Sequence, residues 1–583
     1  MKGKTHLYAL LVFVVTWAFC AHWSVYTLLQ QEEVQLFIPT WAKMSSLLLT
    51  PGGCCEFIGK AIVQCYSSPF AVSVILATLI ACVAYLTYSL LEHLTTPRID
   101  LYFWALLPVW VLLKAHSSPF FVLDGTIGIL LLLIFLYGYC RIPTQTTKLI
   151  YASLSTLIIY FLCGQMVALY SIILSIFTLL KNRREWNIPV LTSLLGLGLT
   201  YISIQLTPCV PITDGIYSQA YQESQLQPDS YLHFISLRWT GLLLASFIIT
   251  YILGLSSWNR TCSKICLILV SGGVLALYVW FHLPNQEDIL NNKMEKLSYL
   301  CKQKDWTNII KEFESQPPTN YYQHNYLSLA LAQKGILGDQ LFKYNPRGPQ
   351  SLIATWDRRY YSSAILSEIH FAIGDVTLSE SYAMEGLTLA KRGGSPRMMQ
   401  QLVKISLVRQ EWELARKYLH ILRKLPSYKE WAEKYSTYLI QPEKMTEDVE
   451  LSQRAVSKQP DNLFSLLTID NIWKEHFDMS PINPFAQAYV GCSYLLSKEL
   501  DKFEQFLLKL KGKSLPKHFQ EATLILALEH PEILDSLNLD IQTVNLFKLF
   551  QQDVRMVSKD NRGLMNLQRK YGETYWFYYY CKN

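Results

Sequence analysis

Charged residues are scarce in the first half of this chain of 583 residues. Residues 1–283 carry 14 Lys and Arg and 10 Asp and Glu, whereas residues 284–583 carry the remaining 38 and 35. About a quarter of the residues of an average soluble domain are charged, so the first half is not an ordinary soluble domain. The net charge of +7 splits into +4 and +3, which is too little in either half to predict nucleic-acid binding.

The sequence also lacks the patterns of several common sites. No phosphate-binding glycine loop, nucleophile elbow or HExxH motif occurs. The 13 cysteines include no CxxC pair, zinc-ligand spacing or disulfide framework, so no metal site is predicted from them. The redox state stays open for Cys54, Cys55, Cys301, Cys492 and Cys581.

Long apolar runs in the first half predict membrane spans, because a helix needs about 20 apolar residues to cross a bilayer. The runs are Tyr8–Cys20, Pro69–Leu91, Leu101–Leu113, Thr126–Cys140, Leu149–Leu180, Ile188–Leu206, Gly241–Leu255 and Ile265–Leu283. The run Leu149–Leu180 is too long for one span and long enough for a tight hairpin of two. We therefore predict an all-α fold with a polytopic bundle of about nine spans in residues 1–283.

Basic residues occupy every second predicted connection if the N-terminus lies in the cytoplasm, where loops collect Lys and Arg. They are Arg98, Arg141, Lys148, Lys181, Arg183, Arg184, Arg260 and Lys264. Most acids lie in the alternate connections. With nine spans, this pattern predicts that residues 284–583 form a soluble domain outside the cytoplasm.

Four segments of the second half share the pattern of an apolar helix, a short polar turn and a second helix. Their turns lie within Leu300–Trp306, Phe371–Asp375, Leu407–Trp412 and Leu496–Leu500. The pattern resembles tetratricopeptide-like hairpins and predicts a helical-repeat domain that binds a protein partner.

The aromatic block Tyr575–Tyr580 is expected to form a last element packed on the repeats rather than a membrane anchor. Arg392-Gly-Gly394 follows a predicted helix and is typical of its C-terminal cap.

The first predicted outer loop carries two adjacent acids, Glu32 and Glu33. One interpretation is that they are solvated loop acids. The other is that they form a catalytic site with acids of other outer loops, Asp124 and Asp214, since carboxylates serve as general bases or as ligands of a divalent metal. Cations on the same side would then contact the phosphate of a polyprenyl-phosphate sugar. The candidate phosphate contacts are Lys43, Lys60 and Arg238.

Two resemblances rest on residues of this loop and of the chain end. The residues of the first resemblance are Glu33, Gln35 and Phe37, Pro51-Gly-Gly53, Gln64 and Pro69, with Thr574-Tyr-Trp576. In these residues the chain resembles an uncharacterised bacterial family of multi-spanning proteins with C-terminal helical repeats. This resemblance implies a protein of the bacterial inner membrane whose residues 284–583 form a periplasmic domain. The acidic first outer loop, its amphipathic stretch and the many spans are similar to the GT-C class of membrane glycosyltransferases. That similarity implies a lipid-linked sugar donor and a first-loop acid, here Glu32 or Glu33 where the class has Asp.

Three functions remain open at this point. A membrane protein that presents a helical-repeat interaction domain in cell-envelope or surface-glycan assembly accounts best for the repeats. A GT-C-like glycosyltransferase accounts best for the outer acids. A transporter is the third, although no inverted repeat of spans is recognisable and hardly any acid lies at the middle of a predicted span.

Overall fold

A computed structural model describes most of the chain. It covers residues 2–94, 102–118, 121–206, 235–255, scattered positions between 272 and 279, and 286–390, 392–456, 483–510, 514–537, 539–556 and 561–582. Regular structure in these residues is helical, apart from one isolated bridge between Gln35 and Arg392. The prediction of an all-α fold is therefore confirmed for the described residues.

Contacts divide the chain into two compact units. Unit 1 consists of Met1–Lys293 together with Lys391–Gly393 and Leu425–Ser427, and unit 2 consists of Met294–Ala390, Gly394–Lys424 and Tyr428–Asn583. Each unit has its own buried core.

Unit 1 contains eleven described α-helices of eight or more residues, numbered here in chain order. They are α1 (Lys2–Phe19), α2 (Val25–Glu33), α3 (Trp41–Leu48), α4 (Gly53–Val63), α5 (Pro69–Leu94), α6 (Tyr102–Ala115), α7 (Leu123–Cys140), α8 (Gln145–Cys163), α9 (Val167–Lys181), α10 (Asn187–Leu206) and α11 (Ile235–Leu255). A π-helical turn at Cys20–Ser24 joins α1 to α2 without a break.

Five helical segments of the described residues are long and apolar enough to cross a membrane. They are Thr5–Glu33, Pro69–Leu94, Leu123–Cys140, Gln145–Lys181 and Ile235–Ile252. Two further predicted spans correspond to shorter apolar helices, Phe103–Ala115 and Asn187–Ser203, and most of the predicted span Ile265–Leu283 lies outside the described residues. The predicted number of about nine spans is thus not confirmed, although several membrane-like helices are present.

The segment Gln145–Lys181 is divided into two helices that reverse direction at Gly164. This glycine has φ +61°, a conformation that side chains with a Cβ disfavour. The hydroxyl groups of Ser155 and Tyr170 are 2.8 Å apart, and two residues separated by 15 positions in one straight helix would be about 22 Å apart. α8 and α9 therefore form the tight hairpin that the length of Leu149–Leu180 predicts.

Basic side chains gather where α7 and α9 end and α8 begins. Lys148 Nζ is 2.9 Å from a carboxylate oxygen of Glu185, just beyond α9. Arg141 lies over the ring of Tyr137, and that ring packs on His93 near the end of α5. The basic connections that follow α7 and α9 thus lie at one end of these helices.

Unit 2 is built from shorter helices joined by tight turns. The helices from residue 286 onward are α12 (Gln286–Lys302), α13 (Trp306–Lys311), α14 (Tyr321–Gln333), α15 (Leu337–Gln340), α16 (Tyr360–Ile373), α17 (Val376–Leu389), α18 (Pro396–Val408), α19 (Trp412–Leu422), α20 (Lys429–Ile440), α21 (Val449–Val456), α22 (Pro484–Ser497), α23 (Leu500–Lys509), α24 (Lys517–Leu526), α25 (Ile541–Met556), α26 (Asn561–Tyr571) and α27 (Tyr575–Cys581). The four predicted helix–turn–helix segments are the pairs α12–α13, α16–α17, α18–α19 and α22–α23.

One turn geometry recurs in all four pairs. Each turn contains a residue with positive φ, followed by an acidic residue at the N-cap position of the second helix. The residues with positive φ are Lys304, Gly374, Gln410 and Lys498, and the acids at the N-cap position are Asp305, Asp375, Glu411 and Glu499. The side chains of Asp305 and Asp375 accept a hydrogen bond from the backbone of the helix that follows. The N–H of each acid donates to the carbonyl five residues earlier, at 2.8–3.0 Å, which is the hydrogen bond of a Schellman motif.

The aromatic C-terminus forms the short helix α27 and packs inside unit 2. Trp576 is fully buried, and its indole N–H donates to the carbonyl of Glu521 at 2.9 Å. The backbone N–H of Tyr575 donates to the carboxylate of the same glutamate at 2.7 Å. The prediction of a last element packed on the rest of the domain is confirmed.

Candidate functional site

Glu32 and Glu33 lie at the end of α2, not in a loop. The first apolar helix continues through the π-helical turn as far as Glu33. Both carboxylate side chains are buried, with 7% and 3% of their surface exposed. The interpretation as solvated loop acids is therefore wrong, because the helix extends farther than the apolar run Tyr8–Cys20 indicates.

Asp124 lies in the first turn of α7 and is 2% exposed. One of its carboxylate oxygens accepts a hydrogen bond from Nη2 of Arg392 at 2.5 Å. The Nη1 of the same guanidinium donates to Oε1 of Gln35 at 2.9 Å. Arg392 thus neutralises Asp124 and also contacts the segment that follows the two first-loop acids.

Gln35 and the residue after it, Leu36, contact two other segments of unit 1. Its amide Nε2 donates to the carbonyl of Lys60 at 2.9 Å, and the next residue, Leu36, donates its N–H to the carbonyl of Arg392 at 3.1 Å. We refer to Gln35, Gly59, Asp124 and Arg392 as the Asp124 cluster. It joins the residues after α2, the helix α4 and the start of α7.

Two glycines allow the close approach of these segments. A Cβ on Gly59 of α4 would lie 2.0 Å from Oδ1 of Asp124, so a larger residue would collide with the carboxylate. A Cβ on Gly393 would lie 2.8 Å from the carbonyl oxygen of Leu36, and φ at Gly393 is +90°. Arg392-Gly-Gly394 is therefore not only the C-terminal cap of α17, because the guanidinium of Arg392 also binds the carboxylate of Asp124.

The start of α7 is fixed by two further polar contacts. The amide of Gln31 donates to the carbonyl of Phe121 at 2.7 Å. The imidazole Nε2 of His116 is 2.7 Å from the hydroxyl of Thr126. Burial lowers the pKa of His116 to about 3, so this ring is neutral at physiological pH and acts as a hydrogen-bonding group.

Two of the three candidate phosphate contacts lie on neighbouring helices, Lys43 on α3 and Lys60 on α4. Lys60 forms an ion pair with Glu56 at 2.5 Å on α4. Lys43 is exposed on α3, with its ammonium 5.5 Å from the ring centre of Phe37. Partial desolvation and the neighbouring Lys60 lower the pKa of Lys43, so Lys43 and Lys60 are close enough for their charges to interact.

Arg238 and Asp214 do not join this group in the described part of the chain. Arg238 lies in the first turn of α11, which packs against α5, α6 and α9, whereas α4 packs against α3, α7 and α8. Asp214 lies outside the described residues. The structure thus brings together Asp124, Lys60 and Lys43 through α4 and its neighbours, and leaves Arg238 on a different set of helices.

A divalent metal has no ready ligand set in the described part of the chain. Nowhere in it do three His, Cys, Asp or Glu side chains converge. Asp124, the most buried of the described candidate acids, is already paired with a guanidinium. The described residues therefore do not fit the metal site that similarity to GT-C enzymes allows.

Sequence reasoning missed Arg392, Gln35 as its partner, and Gly59. Arg392 lies 268 positions from Asp124, and no local pattern links the two. The sequence carried one weak signal, the two adjacent glycines Gly393 and Gly394, because a simple helix cap requires a single glycine. In the structure these glycines have φ of +90° and +117°.

A family model matches nearly the whole chain. The model of a family of unknown function, DUF6057, matches residues 2–582, and the chain belongs to this family. Comparisons with curated proteins and with solved structures give no significant match. The prediction of an uncharacterised family is confirmed, and the family supplies no activity.

Proposed function

We propose that this protein is an integral protein of the bacterial inner membrane that presents a helical-repeat domain in the periplasm. There the domain would bind a protein partner in cell-envelope or surface-glycan assembly. In this proposal unit 1 anchors the chain in the bilayer and unit 2 provides the binding surface.

The recurring turn of unit 2 is the observation that carries the proposal. Four helical pairs share the Schellman hydrogen bond and an acidic residue at the N-cap position of the second helix. A repeated helical pair with a fixed turn is the building unit of helical-repeat proteins, whose main role is to bind other proteins. The tetratricopeptide-like character of unit 2 is part of this proposal.

The arrangement of charges in unit 1 supports the proposed orientation. Arg141 and Lys148 lie together at one end of the helices α7 and α8, and Asp124 lies at the other end of α7. Lys and Arg are favoured on the cytoplasmic side. The Asp124 cluster and α3 would accordingly face the periplasm.

The engagement of Asp124 also favours an interaction protein over an enzyme. A general base must be able to reach a substrate proton, whereas the Asp124 carboxylate is buried and held by Arg392. Its contacts are those of a group that fixes the packing of α7 on α4.

Site-specific photo-crosslinking in living cells tests the proposal. A photoreactive amino acid would replace Ile440 or Val449, which expose 81% and 68% of their surface on unit 2. The exposed Glu413 is the matched control position. We expect one distinct envelope protein to crosslink at an apolar position but not at Glu413, and we expect deletion of either gene to give the same envelope-glycan defect.

The proposal would be contradicted by the absence of any specific crosslink together with unchanged envelope glycans in a strain that lacks the protein.

Orientation is tested separately with reporter fusions after Asn182 and after Asn285. The first reporter should report the cytoplasm and the second the periplasm. A common compartment for both reporters would contradict the proposed topology.

A GT-C-like glycosyltransferase is the second candidate, favoured by α3. This helix exposes Trp41 (77%), and the residues at its end, Leu48 and Leu49, expose 46% and 81%. Exposed apolar side chains beside Lys43 are typical of a helix that lies in the membrane interface. A lipid-linked donor would be recruited at such a surface, and Glu32 and Glu33 would be the candidate acids.

Isosteric substitutions distinguish the two candidates. Glu32→Gln and Glu33→Gln keep the size of each side chain and remove its charge. A catalytic acid or base contributes about 10²–10⁴-fold to a rate, so an enzyme would lose glycan synthesis while still reaching the membrane. Wild-type glycan levels in both variants, and in the companion Asp214→Asn, would leave the interaction protein as the better candidate.

A further inference from the structure

Two cysteines from separate segments of unit 1 meet in its core. Cys55 lies in the first turn of α4 and Cys163 is the last residue of α8. Both side chains are fully buried, and their sulfur atoms are 3.5 Å apart although 108 positions separate them in the chain. This contact was not predictable from the spacing of cysteines in the sequence.

The backbone around the two cysteines is held by direct contacts. The N–H of Gly52 donates to the carbonyl of Phe161 at 3.0 Å. A Cβ on Gly164 would lie 3.3 Å from the Cα of Gly52, so the two main chains touch here. These contacts hold the residues before Cys55 against the residues around Cys163.

We propose that Cys55 and Cys163 form a disulfide bond in the mature protein. A disulfide needs sulfur atoms about 2.05 Å apart, and the two sulfur atoms lie 3.5 Å apart in the folded core. The proposal rests on the proposed orientation, which places this end of the helices in the periplasm, where disulfides form and persist.

The bond would form by exchange with an oxidised dithiol carrier, itself a disulfide. One cysteine thiolate attacks a carrier sulfur, which gives a mixed disulfide and releases the first carrier thiolate. The second cysteine thiolate then attacks the protein sulfur of the mixed disulfide and releases the second carrier thiolate. The two protein thiols lose two protons and two electrons, and the carrier disulfide is reduced to a dithiol. Since both cysteines are buried in the folded state, exchange takes place before α4 packs on α8.

Neighbouring cysteines provide matched controls. Cys54 is adjacent to Cys55 but only half-buried, and Cys65 on the same segment is exposed. Neither has a described hydrogen bond to another sulfur atom, and the thiol of Cys65 donates to the carbonyl of Ala61 at 3.8 Å. A bond that is set by geometry should therefore involve Cys55 and leave Cys54 and Cys65 as thiols.

Peptide mapping of the full-length protein tests the proposal. Membranes would be prepared with N-ethylmaleimide present from lysis onward, and the protein would be digested without reductant. We expect a peptide that contains Cys55 linked to one that contains Cys163. The linked peptide should disappear in Cys55→Ser and in Cys163→Ser and persist in Cys54→Ser. Recovery of both wild-type cysteines as N-ethylmaleimide adducts would overturn the proposal, even if the serine variants fail to fold.

Labelling of Cys65 separates a failure of the disulfide from a failure of the orientation. A membrane-impermeant maleimide would be added to right-side-out membrane vesicles. If Cys65 is labelled while Cys55 and Cys163 are thiols, the disulfide is overturned and the orientation stands. If Cys65 is not labelled and the pair is still linked, the disulfide is supported and the orientation is wrong. If Cys65 is not labelled and the pair is reduced, both fail.

Discussion

Asp124 and Arg392 are 268 positions apart in the chain, and their charged groups are 2.5 Å apart inside unit 1. Only 3% of the aspartate side chain and 12% of the arginine side chain are exposed. A buried ion pair adds little net stability over apolar packing, but the loss of one partner leaves an uncompensated charge in the interior. The pair therefore makes the packing of α7 depend on a residue far along the chain.

Single substitutions of this pair should be strongly destabilising. We expect Arg392→Met or Asp124→Asn to lower the free energy of unfolding by about 3–5 kcal/mol, since each leaves a buried group without its partner. The double variant should lose less than the sum of the two single losses, because the partners interact directly. Thermal unfolding of the full-length protein in detergent measures all three. Strictly additive losses would show that the two residues do not interact.

Gly59 should tolerate no side chain. The Cβ of Gly59→Ala would lie 2.0 Å from the Asp124 carboxylate, so we expect a loss of about 1–3 kcal/mol from overpacking. Gly198→Ala is the matched control in another helix, where a Cβ meets nothing within 4 Å and alanine is the better helix former. Equal unfolding temperatures for the two variants would contradict the close approach of α4 and α7.

The recurring turn of unit 2 predicts opposite effects at equivalent positions. Gln410 and Lys498 have φ of +63° and +59°, and this conformation costs a residue with a Cβ about 1–2 kcal/mol. Replacement of either by Gly should stabilise the protein by about 0.5 kcal/mol or more, after allowance for the flexibility of glycine in the unfolded chain. Gly374→Ala, at φ +106°, should destabilise it. If all three changes shift the unfolding temperature in the same direction, the common turn geometry is wrong.

A half-buried cluster in unit 2 predicts a specific loss of stability in acid. Burial opposes the charge of Glu450, but Lys404 at 3.1 Å and Lys304 at 2.5 Å outweigh it and lower the pKa of Glu450 to about 2. Since this pKa lies below the ordinary value of 4.5, the stabilisation is complete above about pH 5 and is lost as the pH falls toward 2.

The measurement for this cluster is the unfolding temperature between pH 2 and pH 6. We expect Glu450→Gln to be less stable than the wild type at neutral pH and to depend less on pH across that range. Glu413→Gln is the control, because Glu413 is 83% exposed and exposed ion pairs contribute about 0–1 kcal/mol. The same pH dependence in Glu450→Gln and in the wild type would exclude this role of Glu450.

Local patterns in the sequence predicted the local structure. Apolar runs such as Pro69–Leu91 and Leu149–Leu180 became helices because burial or lipid contact of a helix requires such a run. The four turns of unit 2 were placed correctly, since polar residues between two apolar helical stretches mark a chain reversal. The residues that suggested an uncharacterised family proved to be packing residues, for example Phe37 and Trp576, which are 1% and 0% exposed.

Contacts over long separations were not predictable in the same way. The partner of Asp124 could not be predicted because the sequence around an arginine does not indicate which distant carboxylate it will pair with. Glu32 and Glu33 were expected in a loop because the apolar run ends at Cys20, whereas the helix continues through polar residues as far as Glu33. The proposed membrane domain of residues 1–283, the periplasmic domain of residues 284–583 and the catalytic roles stay predictions that the experiments above address.

The reversal at Gly164 has a consequence for counting membrane crossings. Because α8 and α9 run in opposite directions, with Lys148 near Glu185, the chain enters and leaves Gln145–Lys181 at the same end. An even number of crossings results whether the hairpin passes through the whole bilayer or re-enters part of it. The parity of the crossing number, which fixes the side of every later segment, is therefore independent of this hairpin and is decided by the remaining apolar helices.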